Sequence, residues 1–407
     1  MNLRVYRKHN DWLLMLPTLL LVMAGVATIY SATRLATGDA SAFFERHLMY
    51  LAMGSVVFGF FFFLPLRLWE DWSYVVYGIS LLLLVAVLLF GVDSHGAQRW
   101  FQVGPLRSQP SEFAKLALVA VLARYLAGKR VDLSRPGPLA IAMLLVLAPT
   151  ALVLQQPDLG TAGAFPALAL PMLIWAGMPR ILLFILLSPI IGLLLVYNLV
   201  FWVVFLVFSI VVFRRSRLSN LLLGLFLLLQ VGLHLGAPRV IETLHPYQQA
   251  RIHTFFHPES DPSGSGWQVL QSRIAIGSGQ LFGKGYLQGS QKKLAFLPMQ
   301  HNDFIFSVIG EEWGFFGAAV IVILFGLLVA RSVRVATQCR SPFGSLLLVG
   351  VAGLIFYHAA VNMAMTMGLF PVTGLPLPFL SYGGSFLWTM LAAAGQMGNV
   401  AAHRFEY

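Results

Sequence analysis

The sequence is poor in cysteine and in charge. Its single cysteine, Cys339, rules out a disulfide framework and a thiolate zinc site, leaving a free thiol between Arg334 and Arg340. Charged residues make up 11% of the 407, under half of the roughly 25% typical of soluble domains. With 58% hydrophobic residues and a mean hydropathy of +0.78, a soluble globule would expose too much apolar surface to stay dispersed. Alternating strands, the mark of a membrane barrel, are missing too. The apolar runs are continuous, and several approach the ~20 residues that carry a helix across a bilayer. Lipid admits only helices or closed barrels, because every backbone polar group must be paired internally. An all-α polytopic integral membrane protein follows.

Acidic residues are scarce as well, 16 against 27 Lys and Arg, for a net charge of +11. Nucleic acid would attract such a surplus, but topology accounts for it. Apolar windows place about twelve spans near 12–31, 46–64, 73–91, 112–127, 138–154, 161–177, 180–196, 198–213, 218–236, 303–330, 343–366 and 384–402. The first follows Arg4, Arg7 and Lys8 as a signal peptide would, but its length and the lack of a small-residue cleavage site favour a retained helix. With the N-terminus in the cytoplasm, the inner turns hold Arg4, Arg7, Lys8, Arg67, Lys129, Arg130, Arg135, Arg180, Arg214, Arg215, Arg217, Arg331, Arg334, Arg340 and Arg404. The short outer loops hold only Arg34, Arg46, Arg99 and Arg107. This is a positive-inside pattern with both termini cytoplasmic, and it needs no nucleic-acid partner.

One long segment, about 237–302, falls outside under this scheme and is expected to fold back over the membrane face. It contains FFHPESDPSGSGWQ at 255–268, in which Pro262 holds Asp261 extended and Gly264 and Gly266 permit a sharp reversal. Asp261 is then either a carboxylate presented on a stiff turn or a plain Asx-turn residue, with Glu259 as a competing acid. Downstream, IGSGQLFGKGY at 276–286 offers glycine-rich backbone beside Lys284, suited to a pyrophosphate or to a flexible turn. Arg239, Arg251, Arg273, Lys284, Lys292 and Lys293 outnumber Glu242, Glu259 and Asp261, which favours an anionic ligand at the surface.

Ionisable groups within apolar spans are costly unless paired or wet. Glu112 and Lys115 in QPSEFAK (109–115) share a helix face, as an ion pair or as a charged floor beneath a substrate. Arg46 at the outer start of its span is a snorkelling anchor or a phosphate contact. Asp158 in QQPDLGT and Asp303 in HNDFIF read as helix N-caps. Glu311 and Glu312 enter a long span about 13 Å deep at ~1.5 Å per residue. Pro371, Pro376 and Pro378 forbid a regular helix ahead of Gly383 and Gly384, and broken backbone at that depth marks the wall of a polar chamber. The histidines lie mainly in loops without metal-ligand pair spacing, so no metal site is expected.

The motifs HGAQRW (95–100), QPSEFAK, QQPDLGTA (155–162), HPESDPSGSGWQ (257–268), IGSGQLFGKGY and GLPLPFLSYGGS (374–385) occur in this order along most of the chain. Together they resemble the SEDS family (shape, elongation, division and sporulation), its RodA-type elongation branch more than its FtsW-type division branch. The resemblance implies a single ten-span membrane domain in the bacterial cytoplasmic (inner) membrane. Here two further helices, about 198–236, are inserted ahead of the large extracytoplasmic loop without changing its sidedness. It also implies a peptidoglycan glycosyltransferase that polymerises lipid II on the outer membrane face from glycan held on undecaprenyl pyrophosphate.

Asp261 matches the family's essential acidic position and becomes the expected general base. Lys115 and Arg46, with Lys284 behind them, are expected to steady the leaving pyrophosphate while Glu112 holds Lys115. Asp158 and Asp303 are secondary candidates for substrate binding. No cofactor is demanded, although a divalent cation (Mg or Mn) suits an aspartate beside a pyrophosphate. A class B penicillin-binding protein, a transpeptidase, is the implied partner, with other membrane proteins of the elongation complex. A lipid II flippase and a scaffold that activates a partner enzyme are rival readings, separated by whether the protein forms glycan polymer.

Overall fold

The computed structural model describes residues 11–33, 40–94, 97–103, 106–195, 198–216, 219–243, 246–257, 261, 264–290 and 302–405. Its helices are α1 (Trp12–Thr33), α2 (Ala40–Phe63), α3 (Leu66–Phe90), α4 (Pro110–Leu126), α5 (Pro136–Gln155), α6 (Leu159–Trp175), α7 (Arg180–Leu194), α8 (Leu199–Arg215) and α9 (Asn220–Thr243). Two short helices, α10 (Pro246–Phe256) and α11 (Ser265–Ser278), belong to the long loop, and α12 (Ile305–Ala336), α13 (Pro342–Thr366) and α14 (Gly384–His403) complete the bundle. Each of the twelve apolar windows coincides with one helix. Glu259, Lys292 and Lys293 lie outside the described residues.

Among the described residues, α1, α3, α5, α12, α13 and α2 from Ala42 are long and apolar enough to cross a membrane by length and composition alone. Helix α4, 17 residues long, and the more polar α14 fall short of that standard, and other helices enclose both. Nearly every residue of α4 is buried, and α14 buries Thr389, Gln396 and Asn399. Asn399 Nδ2 donates to the carbonyls of Phe61, Phe62 and Leu64 at the end of α2. The outer helices invert the soluble pattern, with Leu82, Leu89 and Phe90 of α3 exposed while its Ser73 and Ser80 are buried. Small and hydroxyl side chains let helices approach where lipid offers no hydrophobic drive for association.

The helical bundle carries one small sheet. Between α3 and α4 lies a three-stranded antiparallel sheet in the order β1 (Val92–Ser94), β2 (Ala97–Val103), β3 (Leu106–Ser108). Ser94 pairs with Ala97 and Val103 with Leu106. At the opposite end of the bundle Asp11 accepts two guanidinium donors of Arg331, the shorter at 2.7 Å, and lies 3.8 Å from Arg404. This clasp joins the start of α1 to the ends of α12 and α14. Nearby, Cys339 is a free cysteine, and burial pushes its thiol up to about 12 against the opposing charge of Arg404.

The backbone of α12 is broken at Gly314, where φ is 67° and ψ −161°. The segment after α11 seals the gap. Lys284 N and Gly285 N donate to the carbonyls of Glu311 and Glu312, while Phe315 N and Phe316 N donate to those of Gln280 and Leu281. A Cβ on Gly283 would lie 2.1 Å from Glu312 O, and one on Gly279 would lie 1.9 Å from Gly310 O. The glycine-rich motif is therefore neither a floppy turn nor an open cradle in this structure. It is a strip of bare backbone pressed against a helix break that lipid would otherwise leave unpaired.

Gly314→Ala adds a Cβ 2.3 Å from Gly283 N at a positive φ and is expected to destabilise the protein by about 1–3 kcal/mol. Gly326→Ala in the same helix meets nothing within 4 Å and serves as the neutral comparison. Thermal unfolding in detergent measures both, and equal melting temperatures would remove the strain argument.

Candidate active site

Asp261 precedes α11. Its Oδ1 accepts the Gly264 N–H at 2.9 Å, and its carbonyl accepts the Trp267 N–H at 3.2 Å. The local turn is thus present, and it fixes the half-buried carboxylate. A Cβ on Gly264 would come within 2.3 Å of Asp261 Oδ2, so only glycine allows the carboxylate to lie there. Two turns along, α11 walls a cavity of about 60 Å³ with Gly266, Val269 and Arg273.

A larger cavity of about 280 Å³ shares Arg251, Phe370, Pro371 and Val372 with it and adds Arg99, Asp158, Gln248, Tyr357 and Thr373. Asp158 caps α6 as expected, its Oδ1 accepting from Thr161 N at 3.0 Å. Its other oxygen takes Gln109 Nε2 at 3.3 Å and lies 3.8 Å from Arg99. Arg99, carried by β2, donates to the carbonyls of Gln156 and Pro157. The sheet therefore delivers a cation to the start of α6.

Asp303 departs from its expected role. The N-cap of α12 is Phe304, without a side-chain cap. Asp303 sits one residue earlier, where Asn362 Nδ2 holds its carbonyl at 2.8 Å and a Cβ on Gly374 would lie 3.4 Å from its Oδ2. Burial pushes its carboxyl up to about 6, opposed by the charge of Arg251 and reinforced by that of Asp158.

Glu112 and Lys115 form a 2.8 Å ion pair on α4, as their spacing predicts, with Lys115 fully buried. Lys115 Nζ also lies 2.8 Å from His358 Nε2 and 5.7 Å from the Phe386 ring centre. Arg46 stands exposed in the second turn of α2, and its charge reaches Tyr382 in the proline-broken segment. Lys284 is occupied by Glu311 Oε1 at 2.7 Å and Ser290 Oγ at 2.6 Å. Glu312 accepts from Ser31 of α1 at 2.7 Å. Glu311 and Glu312 thus bind the seal and α1 into the broken helix.

The proline-broken stretch is paired by side chains from its neighbours. Asn362 Nδ2 donates to Leu375 O at 2.7 Å, and Ser381 Oγ donates to Asn302 O at 2.7 Å while accepting from Leu377 N at 2.8 Å. Sequence reasoning missed Arg99, Gln248, Arg251, Tyr357 and His358 as site residues. Arg99 and Arg251 were visible only as loop charges, and His358, unlike most of the histidines, lies inside a span. A basic residue within HGAQRW and a histidine buried in an apolar run were the available signals.

Between the ordinary aspartate value of 3.8 and about 6, the folded protein keeps a proton on Asp303 that the unfolded chain has released. Its contribution to stability is therefore greatest below that window and falls as pH rises through it. Relative to Asp303→Asn, the wild type is expected to lose up to about 3 kcal/mol between pH 4 and 6.5. Detergent unfolding across that range measures it, and parallel curves would show that Asp303 does not titrate there.

The sequence profile of the cell cycle protein family of FtsW, RodA and SpoVE matches residues 11–222 and 201–406. The peptidoglycan glycosyltransferase MrdB of Escherichia coli K12 is 36% identical over 392 residues, 95% of this chain and 94% of its own. The peptidoglycan glycosyltransferase RodA of Treponema pallidum is 35% identical over 426 residues, 97% and 98% of the two chains. A chain from a solved peptidoglycan synthase complex that coordinates polymerization and crosslinking superposes with a TM-score of 0.73 at 32% identity, over 98% of this chain and 100% of that one. With a profile match that runs from residue 11 to 406 and relatives similar along nearly its whole length, this chain belongs to the FtsW/RodA/SpoVE family, the SEDS proteins.

Proposed function

We propose that this protein is a peptidoglycan glycosyltransferase of the elongation type, which polymerises lipid II into glycan strands at the outer face of the cytoplasmic membrane. The observation that carries the proposal is the carboxylate of Asp261, locked by Gly264 N–H on a glycine-cleared turn next to a cavity edged by Arg251 and Arg273. As general base, Asp261 takes the proton from the 4-hydroxyl of the acceptor sugar while its oxygen forms the bond to the anomeric carbon. The bond to undecaprenyl pyrophosphate breaks, and the leaving diphosphate takes the electron pair.

Arg46, exposed in the second turn of α2, is assigned to that developing charge on the family resemblance. Lys115 acts from behind the cavity wall, with Glu112 holding it. Lys284 contributes by closing the seal onto Glu311. If a magnesium or manganese ion takes part, Asp261 is the residue that would hold it, and the ion would supply positive charge to the leaving diphosphate. No step above passes through such an ion.

The large loop lies outside and both termini inside, supported by the cationic turns at one end of the bundle. Helices α8 and α9 are an addition to the ten-helix core. The two family matches overlap across 201–222, within that pair. A class B penicillin-binding protein is the partner, working among the membrane proteins of the elongation complex. Support comes from the similar chain, whose own assembly coordinates polymerization with crosslinking.

Purified protein in lipid vesicles with lipid II is expected to form glycan strands. Asp261→Asn should slow polymerisation by about 10²–10⁴-fold, and Gly264→Ala, which displaces the same carboxylate, by on the order of 10²-fold, both with unchanged folding. Polymer formation by the Asn variant at wild-type rate would overturn the base assignment. Transbilayer movement of lipid II without polymer would favour a flippase instead.

A further inference from the structure

His358 takes no part in the chemistry above, yet it is the most constrained polar side chain near it. It is fully buried in α13, next to Tyr357, which lines the 280 Å³ cavity. Lys115 Nζ, equally buried, lies 2.8 Å from its Nε2. An ammonium has donors and no acceptor, so Nε2 must accept, and the neutral ring carries its proton on Nδ1. That nitrogen faces the Pro376 carbonyl at 3.4 Å. A doubly protonated ring would set two cations 2.8 Å apart with no water to screen them.

The remaining surroundings of Lys115 define what the histidine adds. Glu112 Oε2 pairs with its charge at 2.8 Å, and the face of Phe386 lies 5.7 Å away. The His358 ring in turn packs 5.0 Å from Phe386. Glu112 sits on the same helix as Lys115, three residues back, and so leaves the long lysine stem free to swing about α4. His358 comes from another helix and fixes the ammonium in the remaining direction. Through Pro376 it ties that cation to the proline-broken wall, whose other carbonyls and hydroxyls are held by Asn362 and Asn302.

We propose that His358 is a positioning residue for glycan polymerisation: by accepting from Lys115 and facing Pro376, it fixes the buried cation against the broken segment that walls the cavity. This rests on the glycosyltransferase reading above, with Lys115 stabilising the leaving diphosphate through the wall. Losing the bond leaves the ammonium short of one partner and free to turn away from the wall. The chemical step should suffer and lipid II binding should not.

Three variants test it in lipid vesicles, with polymerisation rate measured against lipid II concentration and folding monitored by thermal unfolding. His358→Gln keeps an acceptor near the Nε2 position and should hold kcat within about threefold of wild type. His358→Asn keeps a donor toward Pro376 but is too short to accept from Lys115. With His358→Leu it should lose about tenfold to a hundredfold in kcat, the range for losing a hydrogen bond to a charge, at a KM within about twofold.

If the Leu variant fails to fold, the comparison of Gln with Asn carries the test alone. Asn matching Gln, a loss confined to KM, or a Gln variant that falls as far as Asn would each overturn the role. A folded wild type that makes no polymer would fail the glycosyltransferase reading itself, and His358 would then have no polymerisation to position. A wild type that polymerises while all three variants keep its rate would refute the inference and leave that reading intact.

Discussion

The architecture turns on one requirement: a backbone group at membrane depth must find a protein partner, because lipid supplies none. Unbroken helices meet it for themselves. This protein breaks the rule of continuity twice, at Gly314 and across the stretch after α13, and in each case side chains or bare backbone make good the loss. At Gly314 four hydrogen bonds from residues 280–285 and 315–316 bridge the gap. After α13, Asn362, Ser381 and His358 face the carbonyls and amides that the prolines release. What results is polar, irregular backbone inside an apolar bundle, where a phosphosugar headgroup can be handled.

Charge follows the same logic. Among the described residues three ion pairs have a buried member: Glu112 with Lys115, Lys284 with Glu311, Arg331 with Asp11. The last two link segments distant in the chain, whose separation would otherwise be set only by nonspecific packing. Breaking a buried pair by removing one partner strands the other ion, which is why such pairs hold geometry more firmly than their net stabilisation suggests. The cavity near Asp261 is edged by cations of its own, Arg251 and Arg273. Arg99 arrives on the small sheet and Arg251 on α10, and both converge on the start of α6 and the residues after α13.

The legibility of these features differs by kind. The twelve apolar helices among the described residues could be placed because continuous apolar runs leave few alternatives, and the cap at Asp158 followed from its position before a helix. The Glu112–Lys115 pair was readable from a spacing of three. By contrast the glycines of IGSGQLFGKGY showed only that bare backbone was needed, not that its partner is the break in α12. Asp303 looked like a cap, yet Phe304 takes that place and burial gives the carboxyl a different character. The sheet at 92–108 was too short to stand out beside runs of twenty apolar residues.

Composition and periodicity, then, settled the membrane class and the places of the twelve apolar helices, and marked Asp261 as a residue on a turn, because those depend on neighbours within a few residues. Tertiary structure alone decided that Lys115 is closed off behind His358, that Lys284 serves Glu311, and that Arg99 and Arg251 edge one cavity. Those facts depend on residues brought together from distant parts of the chain, such as positions 115 and 358. In a bundle whose helices are apolar on nearly every side, local pattern does not say which faces meet.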